Sequence, residues 1–223
     1  MHFSLRRNNI HKEYNLGGSQ LTTVAESPYL GLTLSSNLSW QTHITNATRK
    51  ANQILGLLRR NLRGCPQKLR QQAYFSLVRP HVEYSSVIWN PYSKKDINRV
   101  EMIQRRAARF VLKRYHHRDS VTSMLQQLEW ESLEKRRQAA SLIMMFKIHT
   151  NAVAINPALY ATPMLATNTR QYHPSRYQII PARVLLYQNA FFPRTITWWN
   201  ALPASLLTSS SVEAFRGAVT SYI

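Results

Sequence analysis

Apolar positions along this chain change period at Trp40. Before it they come in short runs set off by glycine. Glu13–Leu16 and Gln20–Val24 flank Gly17-Gly18, which is a hairpin signal, and Tyr29–Leu34 forms another extended run. His2–Leu5 is strand-like as well. A sheet this small needs further strands or a helical cover to be stable.

From Trp40 the apolar spacing is helical. Ile44, Ala47, Ala51, Ile54, Leu55, Leu58 and Leu62 form one stripe, and Arg49, Arg59, Arg60 and Arg63 sit away from it. Gly64 is expected to close this helix and Pro66 to open the next, which runs to about Arg79. Pro80 then ends or kinks it, because the residue before a proline is pushed out of the α region. Val82, Tyr84, Val87, Ile88 and Trp89 read as a short, mostly buried piece that stops at Asn90-Pro91.

The next helix has two chemically opposite faces. Ser93 followed by Asp96 resembles a capping box, with Lys94 and Lys95 in the first turn. At about 100° per residue, Ile97, Val100, Ile103, Ala107, Ala108, Phe110 and Val111 fall within about 160° of arc. Arg99, Arg105, Arg106, Arg109 and Lys113 fall opposite, within about 120°. A merely solvated face mixes signs, since like charges at i, i+4 repel by a few tenths of a kcal/mol. Arg105 with Arg109, and Arg109 with Lys113, are such pairs, and only Asp96 and Glu101 accompany the cations. One face is expected to be buried and the other offered to a polyanion.

Downstream, Ser120–Leu128 suggests a short helix. Ser132 caps a longer one reaching about His149, with Leu133, Ala140, Ile143, Met144 and Ile148 inward. Residues 150–190 carry prolines at 157, 163, 174 and 181 and read as a linker with extended segments at Tyr177–Ile180 and Val184–Tyr187. The aromatic-dense AFFPRTITWWNALP comes next, its Asn200–Pro203 a turn packed by Trp198 and Trp199, and then a final helix from about Ser211 to Tyr222. These aromatics are assigned to a core rather than to base stacking.

Charge sharpens the picture. The chain holds 29 Lys+Arg against 10 Asp+Glu, a net +19. Residues 49–118 hold 17 of the cations and only Glu83, Asp96 and Glu101, so they carry +14 of that total. Such concentration is the electrostatic footprint of a nucleic-acid partner. An anionic membrane surface is the competitor, but no run approaches the roughly 20 apolar residues of a spanning helix. No signal peptide is visible, and Arg6-Arg7 is too short for an import signal. Cys65 is the single cysteine, which fits a reducing compartment, nucleus or cytoplasm. His116-His117 lacks a third ligand nearby, and no glycine-rich phosphate loop exists, so neither a metal nor a cofactor is expected.

Tyr29-Leu30-Gly31, LSSNLSWQTHI, LGLLRRNL, AYFSLVRPHVEYSSVIWNPYSKKDI, VEMIQRRAARFV, FFPRTITWWNALP and SVEAFRGAV come in an order that resembles the reverse transcriptases of non-LTR retrotransposons, jockey-like elements in particular. Tyr29-Leu30-Gly31 with LSSNLSWQTHI resembles the end of the palm. LGLLRRNL, AYFSLVRPHVEYSSVIWNPYSKKDI and VEMIQRRAARFV look like the thumb and the segment after it. FFPRTITWWNALP with SVEAFRGAV is similar to the extreme C-terminal signature. The resemblance implies a mainly α fold: a palm-edge β segment over 1–39, a thumb-like basic helical bundle over 40–150, a linker over 151–190 and a small mixed subdomain over 191–223.

The same resemblance implies that polymerase chemistry needs clustered aspartates holding two magnesium ions. Only Asp96 and Asp119 are present, with no Asp-Asp pair, so no enzyme activity is expected. What remains is sequence-independent binding of RNA or DNA, as duplex or hybrid backbone, through Arg59, Arg60, Arg63, Lys94, Lys95, Arg99, Arg105, Arg106, Arg109 and Lys113. By resemblance Tyr29, Leu30 and Gly31 support a primer end. A domesticated nucleic-acid-binding protein, or a helical scaffold docking an acidic protein, are the alternatives.

Overall fold

Two antiparallel hairpins open the computed structural model, which describes Met1, residues 12–165 and residues 173–223. The expected strand His2–Leu5 and the pair Arg6-Arg7 lie outside the described residues. β1 (Asn15–Leu16) pairs with β2 (Ser19–Gln20) across Gly17 and Gly18, both at positive φ. This ladder is shorter than the alternation suggests, and all its residues are exposed. β3 (Glu26–Tyr29) pairs with β4 (Leu32–Ser35). The run Tyr29–Leu34 is therefore folded back on itself, reversing at Leu30 (φ 47°) and Gly31 (φ 80°).

The second hairpin finds its cover on α1 (Gln41–Asn61). Thr33 donates its backbone N–H to His43 Nδ1 at 3.2 Å, and Thr42 Oγ1 donates to Glu26 at 2.5 Å. Ile44, Ala51, Leu55 and Leu58 of the α1 stripe are buried, while Ala47, Ile54 and Leu62 are half-buried. Leu62, not Gly64, caps the helix. Pro66 is the N-cap of α2 (Gln67–Ala73) rather than its first residue, so the helix starts one residue later than expected.

Pro80 does not end the helix. The chain widens into a π-helical turn over Tyr74–Val78, with Arg79 N–H bonded to Tyr74 C=O at 3.0 Å, and continues into α3 (Pro80–Glu83). A wider turn relieves the clash of the proline ring with the carbonyl four residues back. Ser85, at φ 50°, turns the chain into α4 (Ser86–Trp89), whose Trp89 is fully buried.

α5 (Lys94–Leu112) starts at Ser93, whose Oγ accepts from Asp96 N–H at 3.1 Å and donates to its carboxylate at 2.8 Å. α6 (Val121–Gln127) and α7 (Leu133–His149) start at the serines expected, Ser120 and Ser132. α8 (Leu185–Gln188) replaces the extended segment expected at Val184–Tyr187. Tyr177 contributes one bridge, to Pro163, rather than a strand. α9 (Phe191–Asn200), α10 (Ala204–Leu207) and α11 (Val212–Tyr222, capped by Ser211) complete a mainly α fold.

Two cores result. The first gathers Leu32, Tyr74, Trp89, Phe110 and Met124 with the apolar faces of α1 and α5. The second gathers Phe146, Trp199, Phe215 and Val219, and draws Ala161 and Tyr177 from the proline-rich stretch. α7 serves both, with Leu133 in the first and Leu142, Met145 and Phe146 in the second. Its inward residues are therefore not a single stripe: Ala140, Ile143 and Met144 are only half-buried, while Arg137, Ala139 and Ser141 are buried. Asn90 links the halves, accepting Arg137 Nε at 3.0 Å on its side chain and Arg194 at 3.1 Å on its carbonyl.

Candidate nucleic-acid interface

α1 and α5 lie side by side and run in the same direction. Arg99 donates to Thr45 Oγ1 at 2.7 Å, and one step further Arg106 donates to Asn52 Oδ1 at 2.8 Å. Both pairs are 54 residues apart in sequence, so the contacts climb the two helices in register. The step is seven residues, about 10.5 Å of helix. Lys113, the residue that caps α5, comes another seven residues on and shares a cleft with Arg59, again at an offset of 54. A seam of cations at two-turn spacing is the geometric outcome.

Two clefts open along this seam. One is lined by Thr45, Arg49, Asn52, Arg99 and Arg106. The other, about 830 Å³, lies at the C-terminal ends of the helices between Arg59, Arg60, Arg63, Lys113 and Tyr115. Gly56, lacking a side chain, lines its floor with Phe110. Among the described residues no carboxylate lies within ion-pair reach of these cations. The acids sit elsewhere: Glu83 pairs with Arg79 and Arg136, and Glu101 with Arg137. Clustered like charges without counterions raise the local potential and attract anions.

One cation in the second cleft has a different role. Arg70 is buried, and its Nε donates to the Val111 carbonyl at 3.0 Å while Nη1 donates to Cys65 C=O. A guanidinium at the last carbonyls of α5 satisfies orphan acceptors and opposes the helix dipole. Arg59, Arg60, Arg63 and Lys113 are thereby left exposed to solvent.

The remaining candidate residues separate. Arg105 is exposed but points away from the seam, about 100° round α5 from Arg106. Arg109 is half-buried and holds the turn after α5, donating to His116 C=O at 3.2 Å and Asp119 C=O at 3.3 Å. Lys94 and Lys95 are exposed in the first turn of α5 and line neither cleft. Tyr29, Leu30 and Gly31 sit at the tip of the second hairpin, on the N-terminal end of α1. Tyr84 Oη donates to Leu30 C=O at 3.1 Å. The close approach at Gly31 is made by the Tyr84 ring, which an added Cβ would meet at 3.1 Å. From His43, which carries the hairpin, to Arg59 is about 24 Å along α1.

Arg49 and Tyr115 belong to the site and were not among the expected residues. Arg49 is one turn from Thr45 and so shares its face, a relation readable only once α5 is known to pack there. Tyr115 lies two residues beyond Lys113, and Arg59 lies 5.0 Å from its ring centroid.

Other chemistry finds little support. Among the described residues no three His, Cys, Asp or Glu side chains gather where they could hold a metal ion. The His116 and His117 rings lie against each other at a tilt of 34°, with centroids 4.4 Å apart. An apolar hollow of about 710 Å³ between Trp40, Ile88, Met144 and Phe191 offers serines and asparagines as polar groups but no charge. No described helix is long and apolar enough to cross a membrane. No family model, curated protein or solved structure matches this chain.

Proposed function

We propose that this chain corresponds to the non-catalytic C-terminal part of a jockey-like retrotransposon reverse transcriptase, and that it binds nucleic acid without regard to sequence. The observation that carries the binding is the α1–α5 seam, where Arg49, Arg99 and Arg106 lead into Arg59, Arg60, Arg63 and Lys113 with no carboxylate among them. Cations at helical spacing on a smooth packed seam meet phosphates, which fix position and carry no sequence information. The order of the quoted motifs along the chain supports the parentage. The carboxylates that two-metal polymerisation needs are not clustered in it: that of Asp96 accepts the Ser93 hydroxyl at the start of α5, and that of Asp119 accepts the His116 N–H.

Affinity measured against salt tests the binding. Neutralising about five phosphates gives a log–log slope of about −3.5 to −4.5. Replacing Arg59, Arg60 and Arg63 by Ala is expected to make the slope shallower by about 2 to 3, and equally so on unrelated sequences. A flat salt response of the intact protein, or an unchanged slope after the triple replacement, overturns the proposal. Tighter binding to an acidic polypeptide than to nucleic acid at the same salt would favour a protein partner instead.

A further inference from the structure

The seam does not end in the chemistry with which it begins. The cleft around Arg49, Arg99 and Arg106 has no aromatic side chain in its wall. The cleft at the far end has Tyr115, with His116 and His117, their rings tilted against each other, directly after it, all three exposed. Arg59 covers one side of the Tyr115 ring at 5.0 Å, yet the residue remains 51 % exposed. A guanidinium over a ring is a cation–π contact that holds the ring in place while leaving its other side open.

We propose that this end of the seam is a nucleobase subsite, in which an unpaired base stacks on the open side of Tyr115 and its flanking phosphates meet Arg60, Arg63 and Lys113. The inference rests on the reading of the seam as a nucleic-acid surface and names the form of nucleic acid taken at its end.

Three observations carry it. First, the cations here are not occupied by the helix ends they adjoin, because Arg70 alone reaches the Val111 and Cys65 carbonyls. Second, the cleft of about 830 Å³ has the size of a small-ligand pocket rather than of a duplex groove. Third, bases inside a duplex have both faces covered by their neighbours, so a ring such as Tyr115 can stack on any unpaired base, whereas a blunt duplex offers it only the outer faces of its two end pairs, which stay paired and stacked. Stacking of this kind accepts any base, because each has a π face, and it therefore adds strand-type preference without adding sequence preference.

The test compares a single-stranded 12-mer of mixed sequence, a blunt duplex of the same length and an abasic 12-mer, each by fluorescence anisotropy with the full chain. Tyr115→Ala is expected to weaken binding of the single strand about tenfold. It should leave the blunt duplex and the abasic strand within about twofold and the salt slope unchanged, since no phosphate contact is lost. Tyr115→Phe keeps the ring and is expected to bind as the parent does, which separates stacking from any effect on folding. Equal losses on all three ligands, or no loss on the single strand, overturn the subsite while the seam stands on its salt slope. Failure of the parent protein to bind any of the three removes the reading of the seam itself.

Discussion

Arg70 Nε donates to the carbonyl of Val111 at 3.0 Å, tying α2 to the last turn of α5. Arg70 is buried and hydrogen-bonded to two carbonyls, whereas Arg60 in the same cleft is exposed. Charged hydrogen bonds contribute about 1.5 to 3 kcal/mol, and exposed side chains usually change stability by less than about 0.5 kcal/mol. Arg70→Met is therefore expected to lower unfolding free energy by about 2 kcal/mol, and Arg60→Ala to leave it nearly unchanged. Urea denaturation of the two variants checks the contrast. Equal stabilities would mean that Arg70 is not the cap of α5.

The contact between β4 and α1 depends on a neutral imidazole. His43 Nδ1 accepts the Thr33 N–H, and the ring lies 5.1 Å from Trp89 and 6.2 Å from Trp40, centroid to centroid. Burial holds its pKa below the ordinary 6.5. The unfolded chain thus takes up this proton more readily than the folded one. Stability from His43 is present above pH 6.5 and is lost as pH falls towards the lower folded value. His149, also pushed down by burial and by His173, acts in the same sense. Burial raises the Glu101 pKa, which has the opposite sign, so a global melting curve mixes the two. Hydrogen exchange at the Thr33 amide isolates the hairpin. Protection there is expected to fall as pH drops from 7 to 5, after correction for intrinsic rates, and His43→Gln to flatten that fall.

Glu101 joins α5 to the start of α7. Its carboxylate accepts the Leu133 N–H at 3.3 Å and the Glu134 N–H at 2.7 Å, and it lies 3.9 Å from the buried Arg137. Removing one partner of such a pair leaves an uncompensated buried charge and unsatisfied helix donors, costing about 3 to 5 kcal/mol. Glu101→Ala is expected to lose about 3 kcal/mol or more. Pairing it with Arg137→Met should recover part of this, because the stranded guanidinium is gone. Additive losses in the double variant would show that the two side chains are not coupled.

The elements that could be read from sequence are those with one packed side. α5 and α1 each bury a single face, so their apolar residues recur at helical spacing and their serine or aromatic starts stand out. α7 lies between two cores, and enclosure on several sides erases the single stripe. The seam was legible as two separate cationic faces but not as one site. Its formation depends on contacts 54 residues apart, such as Arg99 with Thr45, which no local pattern encodes. For the same reason Arg109 reads as one more cation of the basic face, although it holds the turn at His116–Asp119. The hairpin at Leu30-Gly31 was masked by continuous apolar character, and its reversal is set by positive φ at both residues and by the Tyr84 hydroxyl.

Lys113 occupies a position where the backbone favours glycine. It caps α5 at φ 57° and ψ 30°, and Arg114 N–H bonds back to Arg109 C=O at 3.1 Å across it. A left-handed conformation costs an ordinary L-residue about 1 to 2 kcal/mol, part of which glycine recovers despite its greater freedom when unfolded. A lysine kept there trades stability for a charge facing the cleft beside Arg59. Lys113→Gly is expected to raise unfolding free energy by about 0.5 to 1 kcal/mol. The same variant should bind nucleic acid several-fold more weakly, with a salt slope shallower by about 1, as for one lost phosphate contact. Denaturation and salt titration on one preparation read both effects. Greater stability with unchanged affinity and slope would take Lys113 out of the interface, and lower stability would show that the lysine side chain itself supports the turn.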